Sequence, residues 1–176
     1  MSLILLAIDP GDVYSAFCFI DMETYKPLYF DKVKNDDMFD LIDIYIEKYK
    51  YDNSFSLHVA CEMISSYGMP VGKSVFETCV LIGAIKMYMG IFYSTRVDYI
   101  YRKDEKLCIC GQVKAKDSNI RQALIDRFAK FDFKNGKGTK KEPDWFFGFK
   151  ADVWAAYCVG VTWIDAHNGL YELTQK

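Results

Sequence analysis

Three acidic residues stand beside apolar stretches: Asp9 after SLILLAI, Glu62 after FSLHVAC, and Asp152 just before VWAAYCVG. Three carboxylates gathered in one place would repel each other, and like charges a few ångströms apart do not all stay ionised without a cation. Oxygen donors of this kind suit Mg2+ or Mn2+ rather than zinc. Two such ions, about 3.5–4 Å apart, can activate a water and stabilise the leaving oxygen in phosphodiester cleavage. Two of the acids also have a plain structural explanation. Asp9 precedes Pro10 and Gly11, and Asp-Pro-Gly is a common turn. Asp152 falls in the first turn of a helix, where the dipole favours a carboxylate. Glu62 is harder to explain that way, because a carboxylate after LHVAC needs a partner if buried.

The elements that must position these acids follow from periodicity. Residues 2–9 are a continuous apolar run of strand length, the pattern of a strand covered on both faces. Residues 13–21 and 27–33 are rich in β-formers, and the short loops between them predict an antiparallel meander. The period then changes: apolar residues at 38, 41, 42, 45, 46 and 49 mark one face of a helix, with Asn35 or Asp36 placed to cap it. Residues 55–62 return to strand character, and the loop SSYGMPVGK follows. A helix is expected over 73–89, with Gly83 and Ala84 permitting close packing, and a fifth strand over 96–102. A helix over 117–131 has Asp117 or Ser118 as cap and positions 120, 123, 124, 128 and 131 inward. The last helix runs from about 150 to 166, with Ala155 and Ala156 allowing close approach to the sheet. The order β-β-β-α-β-α-β-α-α predicts an α/β domain, a mixed sheet with helices on its faces. Strands one and four become neighbours if the intervening helix crosses back over the sheet. Ligands in such sheets gather at strand ends near the point where the chain changes direction.

Length and composition fit this frame. The 176 residues make one domain, 1–176, with a lysine- and glycine-rich loop at about 134–144 whose composition suggests mobility. The N-terminus has no basic region and its apolar run is too short for a secretion signal. No stretch approaches the ~18 uninterrupted apolar residues of a membrane helix, so no membrane partner is expected. The six cysteines lie among apolar residues and read as reduced core thiols of a cytoplasmic protein. Cys108 and Cys110 are a close pair without a second pair at zinc spacing. The net charge of −2 hides an asymmetry: residues 1–101 hold 8 Lys+Arg against 14 Asp+Glu, and residues 102–150 hold 13 against 7. The lysines of VKAKDSNIRQ and KNGKGTKKEP read either as solvated loops or as a surface for a polyanion.

The motifs AIDPG, ACEMI and KADVWAAYCVG, in that order and spacing, resemble the RNase H-like nucleases. The resemblance is greatest to the RuvC-type Holliday junction resolvases, including short phage-type versions, and covers residues 3–165. It implies a five-stranded mixed sheet of order 3-2-1-4-5 flanked by helices. It further implies that Asp9, Glu62 and Asp152 hold two Mg2+ ions, with Mn2+ as a substitute. A homodimer would then make paired nicks across a four-way or branched DNA junction. Family members carry lysines just before the helix that starts here at Asp117, so Lys114 and Lys116 look similar to phosphate-contacting or catalytic lysines. Lys73, Arg121, Lys140 and Lys141 are further DNA-contact candidates.

One position departs from the family. RuvC-type proteins commonly place two acids, or a histidine and an acid, three residues apart at the start of the last helix. The first here is Asp152, but the second is Ala155. Three carboxylates suffice, or Asp117 completes the site, or activity is weakened. The alternative to a metal-dependent endonuclease is an inactive RNase H-like nucleic-acid-binding module. A sugar-kinase or actin-like ATPase needs a second lobe and a second glycine-rich phosphate loop, and 176 residues hold neither.

Overall fold

The computed structural model describes residues 2–52, 55–66, 68 and 70–174. Strands β1 (Ser2–Asp9), β2 (Tyr14–Asp21) and β3 (Pro27–Lys34) form an antiparallel meander, and helix α1 (Asn35–Asp52) leads back to β4 (Phe55–Met63). Helix α2 (Lys73–Tyr93) leads to β5 (Val97–Tyr101), followed by α3 (Arg102–Cys110), α4 (Asp117–Phe128) and α5 (Val153–His167). The five strands lie in the order β3-β2-β1-β4-β5. β1 is central, antiparallel to β2 and parallel to β4. The mixed sheet and its order match the sequence expectation.

The centre of the sheet explains the composition of β1. Ile4, Leu6 and Ile8 enter one core layer with Met38, Ile42 and Ile46 of α1 and Ile82, Ile85 and Met89 of α2. Leu5 and Ala7 enter the opposite layer, beneath α4 and α5. A strand buried on both faces has no position for a polar side chain until it ends. Helix α5 presses closest at Gly160, where an added Cβ would stand 2.3 Å from Ile20 Cδ1 and 3.0 Å from Ala7 Cβ. That close approach, expected at Ala155 and Ala156, therefore centres one turn later. Ala156 is still fully buried.

Several local expectations are corrected. The nine-residue helix α3 carries the sequence RKDEKLCIC, whose charges concealed it. α4 ends at Phe128, leaving Phe131 72% exposed rather than inward. Gly83 meets nothing within 4 Å, so it does not serve packing on the sheet. α2 has the length and apolarity of a membrane span, yet its Ile82, Ile85 and Met89 are packed on the sheet. Its other side leaves Phe76, Val80, Met87 and Ile91 at least 60% exposed. Cys79 on this helix is exposed too, unlike the buried Cys18, Cys61 and Cys158.

The basic segment after α4 is held by its own hydrogen bonds. Gly138 bridges Pro143, and Asp144 accepts from the backbone N–H groups of Lys130, Phe131 and Trp145 at 3.1, 3.1 and 2.7 Å. Those bonds hold the Asp144 carboxyl below its ordinary value against the opposing effect of burial.

Candidate active site

Parallel pairing of β1 with β4 sets Ile8 against Cys61, so the next residues, Asp9 and Glu62, stand side by side where β1 and β4 part, each still paired on its other edge with Ala16 and Ile100. Both belong to the alternation that faces α3, α4 and α5, since Ala7 and Ala60 point into that layer. The turn beyond Asp9 is clamped. Gly11 N–H donates to Ser15 Oγ at 3.2 Å, and Ser15 Oγ donates to Asn35 Oδ1 at 2.7 Å. Asn35 Nδ2 in turn donates to the Gly11 carbonyl at 3.0 Å. An added Cβ at Gly11 would lie 2.2 Å from the Tyr14 carbonyl oxygen, so only glycine fits. Asn35 therefore ties the start of α1 to the turn that carries Asp9.

The Asp9 and Glu62 carboxyl groups are within hydrogen-bond reach of each other. Burial first, then the Glu62 charge, raises the Asp9 carboxyl from 3.8 to about 9. Glu105 and Asp152 are near enough to add to the same effect. Asp152 is the residue before α5 and makes no capping bond to it. Instead its Oδ2 meets Lys32 Nζ of β3 at 2.5 Å, and that bond raises the lysine above its ordinary value.

Helix α3 brings in residues that periodicity did not single out. Glu105 is fully buried, and burial followed by the Glu62 charge raises its carboxyl from 4.5 to about 8. Arg102 Nη1 reaches Glu105 Oε2 at 2.5 Å, and Arg102 Nη2 reaches Asp117. Burial opposes the Arg102 charge, but Glu105, Glu62 and Asp117 outweigh it and raise the guanidinium further. Asp117 is thus bound to arginine, with its own side chain 80% exposed. The one sequence signal was an Arg and a Glu three residues apart, the spacing of neighbours on a helix.

A cleft of about 170 Å³ runs between α4 and α5, lined in part by Arg102, Asp117, Arg121, Asp152 and Ala155. Arg121 lies over the Trp154 ring at 5.3 Å, placing a cation in this cleft. Lys114 and Lys116 are exposed on either side of buried Ala115, just before α4. Lys116 caps that helix through its backbone, its N–H donating to Asn119 Oδ1 at 2.9 Å. Lys140 and Lys141 are exposed between bridged Gly138 and Pro143. Lys73 starts α2 and pairs with Glu77 at 3.2 Å. A larger cleft of about 840 Å³ follows the β5 edge at Asp98 and Trp163 and includes none of the acids named above.

Among the described residues, no three His, Cys, Asp or Glu side chains stand close enough together to hold a metal ion as they are. The donor set still fits a hard cation. Two adjacent half-buried carboxyls suit Mg2+, which takes one or two carboxylates and fills its remaining positions with water and substrate phosphate.

No family model and no curated protein sequence matches the chain. Solved structures do match. RuvC of Thermus thermophilus superposes with a TM-score of 0.63 at 14% identity, over 94% of this chain and 96% of that one. The fold is that of RuvC. RuvC from the same organism in complex with a Holliday junction substrate gives a TM-score of 0.62 at 13% identity, over 95% and 96% of the two chains. A Holliday junction resolvase of fowlpox virus gives 0.50 at 15% identity, over 93% and 99%.

Proposed function

We propose that the protein is a metal-dependent, structure-selective DNA endonuclease that acts on four-way or branched junctions. The observation that carries this is the Asp9–Glu62 pair, two carboxyls side by side at the ends of parallel strands in a RuvC fold. Asp9, Glu62 and Asp152 would hold Mg2+, with Mn2+ as a substitute. When bound, the metal supplies activation of the attacking water and stabilisation of the departing oxygen at a phosphodiester. For Asp152 to take part it must release Lys32, which frees that lysine for a backbone phosphate. Lys114, Lys116 and Arg121 lie on the same α3–α4 side and would neutralise flanking phosphates, making binding salt-dependent. Lys140 and Lys141, exposed in the segment after α4, and Lys73 at the start of α2 would be further phosphate contacts.

Paired nicking needs two copies of the site, which supports a homodimer. The exposed side of α2 offers a surface for it: Phe76, Val80, Gly83, Met87 and Gly90 follow a 4-3-4-3 spacing, the seam pattern of paired helices. An added Cβ at either glycine meets nothing within 4 Å, which leaves room for a second helix to come close.

Ala155 and the absence of three converged ligands among the described residues favour the second reading, a junction-binding module without catalysis. Incubation with a synthetic four-way junction and Mg2+ separates the two. Cleavage that is lost in Asp9→Asn supports the nuclease. Tight binding with no cleavage in Mg2+ or Mn2+ establishes the binding module instead.

A further inference from the structure

Glu105 is buried to 0% exposure on a short helix outside the expected ligand set. Its Oε2 accepts from Arg102, whereas its Oε1 is buried with no hydrogen-bond partner beyond the weak Cys158 thiol nearby. An orphaned carboxylate oxygen in the interior costs about 1–3 kcal/mol or more, so it needs a reason to persist. Among the described residues the cation beside Glu105 is Arg102, which is shared with Asp117. Glu62 and Asp9 are both within Coulombic reach. Position 155, where a second acid on α5 would stand, is alanine and lines the same cleft as Arg102 and Asp152.

We propose that Glu105 is the fourth acid of the cation site, supplied from α3 in place of the acid missing at position 155, with its free Oε1 directed to a divalent ion. This rests on the nuclease reading in assigning the cation to Asp9 and Glu62. The geometry divides the work within one side chain. Arg102 holds Oε2 and fixes the carboxylate's orientation, and Oε1 is left for the ion. Outer partners of this kind orient a ligand and raise the affinity of the site. The same arrangement explains why α3 buries a carboxylate so near two others. A carboxylate kept there in its charged form needs positive charge beside it.

The test is Mn2+ binding to the full chain, read from the electron paramagnetic resonance signal of free Mn2+, without any cleavage measurement. Glu105→Gln keeps the size and the Arg102 contact but removes the charge. It is expected to weaken Mn2+ binding by about tenfold or more, the range seen when a ligand or its support is altered. Metal-free thermal unfolding gives the cost of weakening the Arg102 pair separately from any effect on Mn2+. Glu105→Gln combined with Ala155→Asp provides a second arm: an acid on α5 should restore Mn2+ affinity. Unchanged Mn2+ affinity in Glu105→Gln, or no recovery in the double variant, overturns the assignment. Asp9→Asn separates this from the nuclease reading. If Asp9→Asn loses Mn2+ and Glu105→Gln does not, only the role of Glu105 fails. If neither variant changes binding, the cation site itself is wrong.

Discussion

Asp9 should be a burden on the fold of the metal-free protein, and the burden should grow with pH. Its carboxyl is 3.8 in a free chain and about 9 in the folded one. A raised carboxyl binds its proton more tightly in the native state than in the unfolded state. Below about pH 4 both states hold the proton and nothing is lost. Above that, stability falls by ~1.4 kcal/mol for each pH unit until the native group ionises near 9. By pH 7 the accumulated loss is roughly 4 kcal/mol, an upper limit because Glu62 shares the same proton. Asp9→Asn removes the requirement for that proton. Its buried amide takes back about 1–3 kcal/mol. The variant should therefore be more stable than the parent by about 1–3 kcal/mol at pH 7, and nearly equal to it at pH 5. Urea unfolding in EDTA at the two pH values measures this. Excess Mg2+ should narrow the difference, because the parent then has its counter-charge and the variant has lost a ligand. A parent as stable as Asp9→Asn at pH 7 in EDTA, or a gap that does not widen from pH 5, would refute the account of this site.

The other perturbations probe what surrounds the pair. Lys32→Ala should change stability by no more than ~1 kcal/mol, since the Lys32–Asp152 pair is exposed. It should lower the Mg2+ needed for half-maximal cleavage by up to roughly fivefold, the equivalent of ~1 kcal/mol, because Asp152 is then free. Asp165→Asn should destabilise by about 2–4 kcal/mol in urea without altering junction affinity. Its carboxylate accepts Arg127 at 2.6 and 2.8 Å and Tyr25 at 2.8 Å, far from the acids at the strand ends. Val80→Glu places a charge in the exposed seam of α2, where the native side chain is 74% exposed. Sedimentation should show a dimer for the parent and a monomer for the variant, each still folded.

What the sequence disclosed and what it hid have separate physical causes. The central strand was legible because burial on both faces leaves a continuous apolar run, and such a run makes the acid that ends it conspicuous. Glu62 was legible for the same reason. Helix α3 was hidden because its burial is achieved by pairing. Arg102 covers Glu105, while Asp104 accepts from Tyr171 Oη at 2.9 Å and Thr174 N–H at 2.8 Å. Periodicity counts apolar positions and passes over a charged residue that is buried with a partner. The reverse holds for α2, which is apolar on both its sides. Its spacing could not say which side meets the sheet, and Gly83 lies on the side that does not. The lysines and glycines of 134–144 gave no sign of Asp144, whose three backbone hydrogen bonds hold that segment.

The distribution of counter-charges narrows where a cation would act. Asp152 has Lys32, and Asp117 and half of Glu105 have Arg102. Among the described residues Asp9 and Glu62 make no ion pair, although Lys32 and Arg102 act on them at longer range, and the free oxygen of Glu105 has no partner beyond the weak Cys158 thiol. The chain thus pairs the outer acids directly with its own side chains and leaves the inner ones without a direct ion pair. Were the cluster purely structural, an arginine or lysine between Asp9 and Glu62 would be the simpler remedy, as it is at Asp165 with Arg127. Leaving the innermost pair without one makes sense if the missing charge arrives from solution and must be exchangeable. Lys32 and Arg102 then act as placeholders, each holding an outer acid near the position it would take once an ion is present.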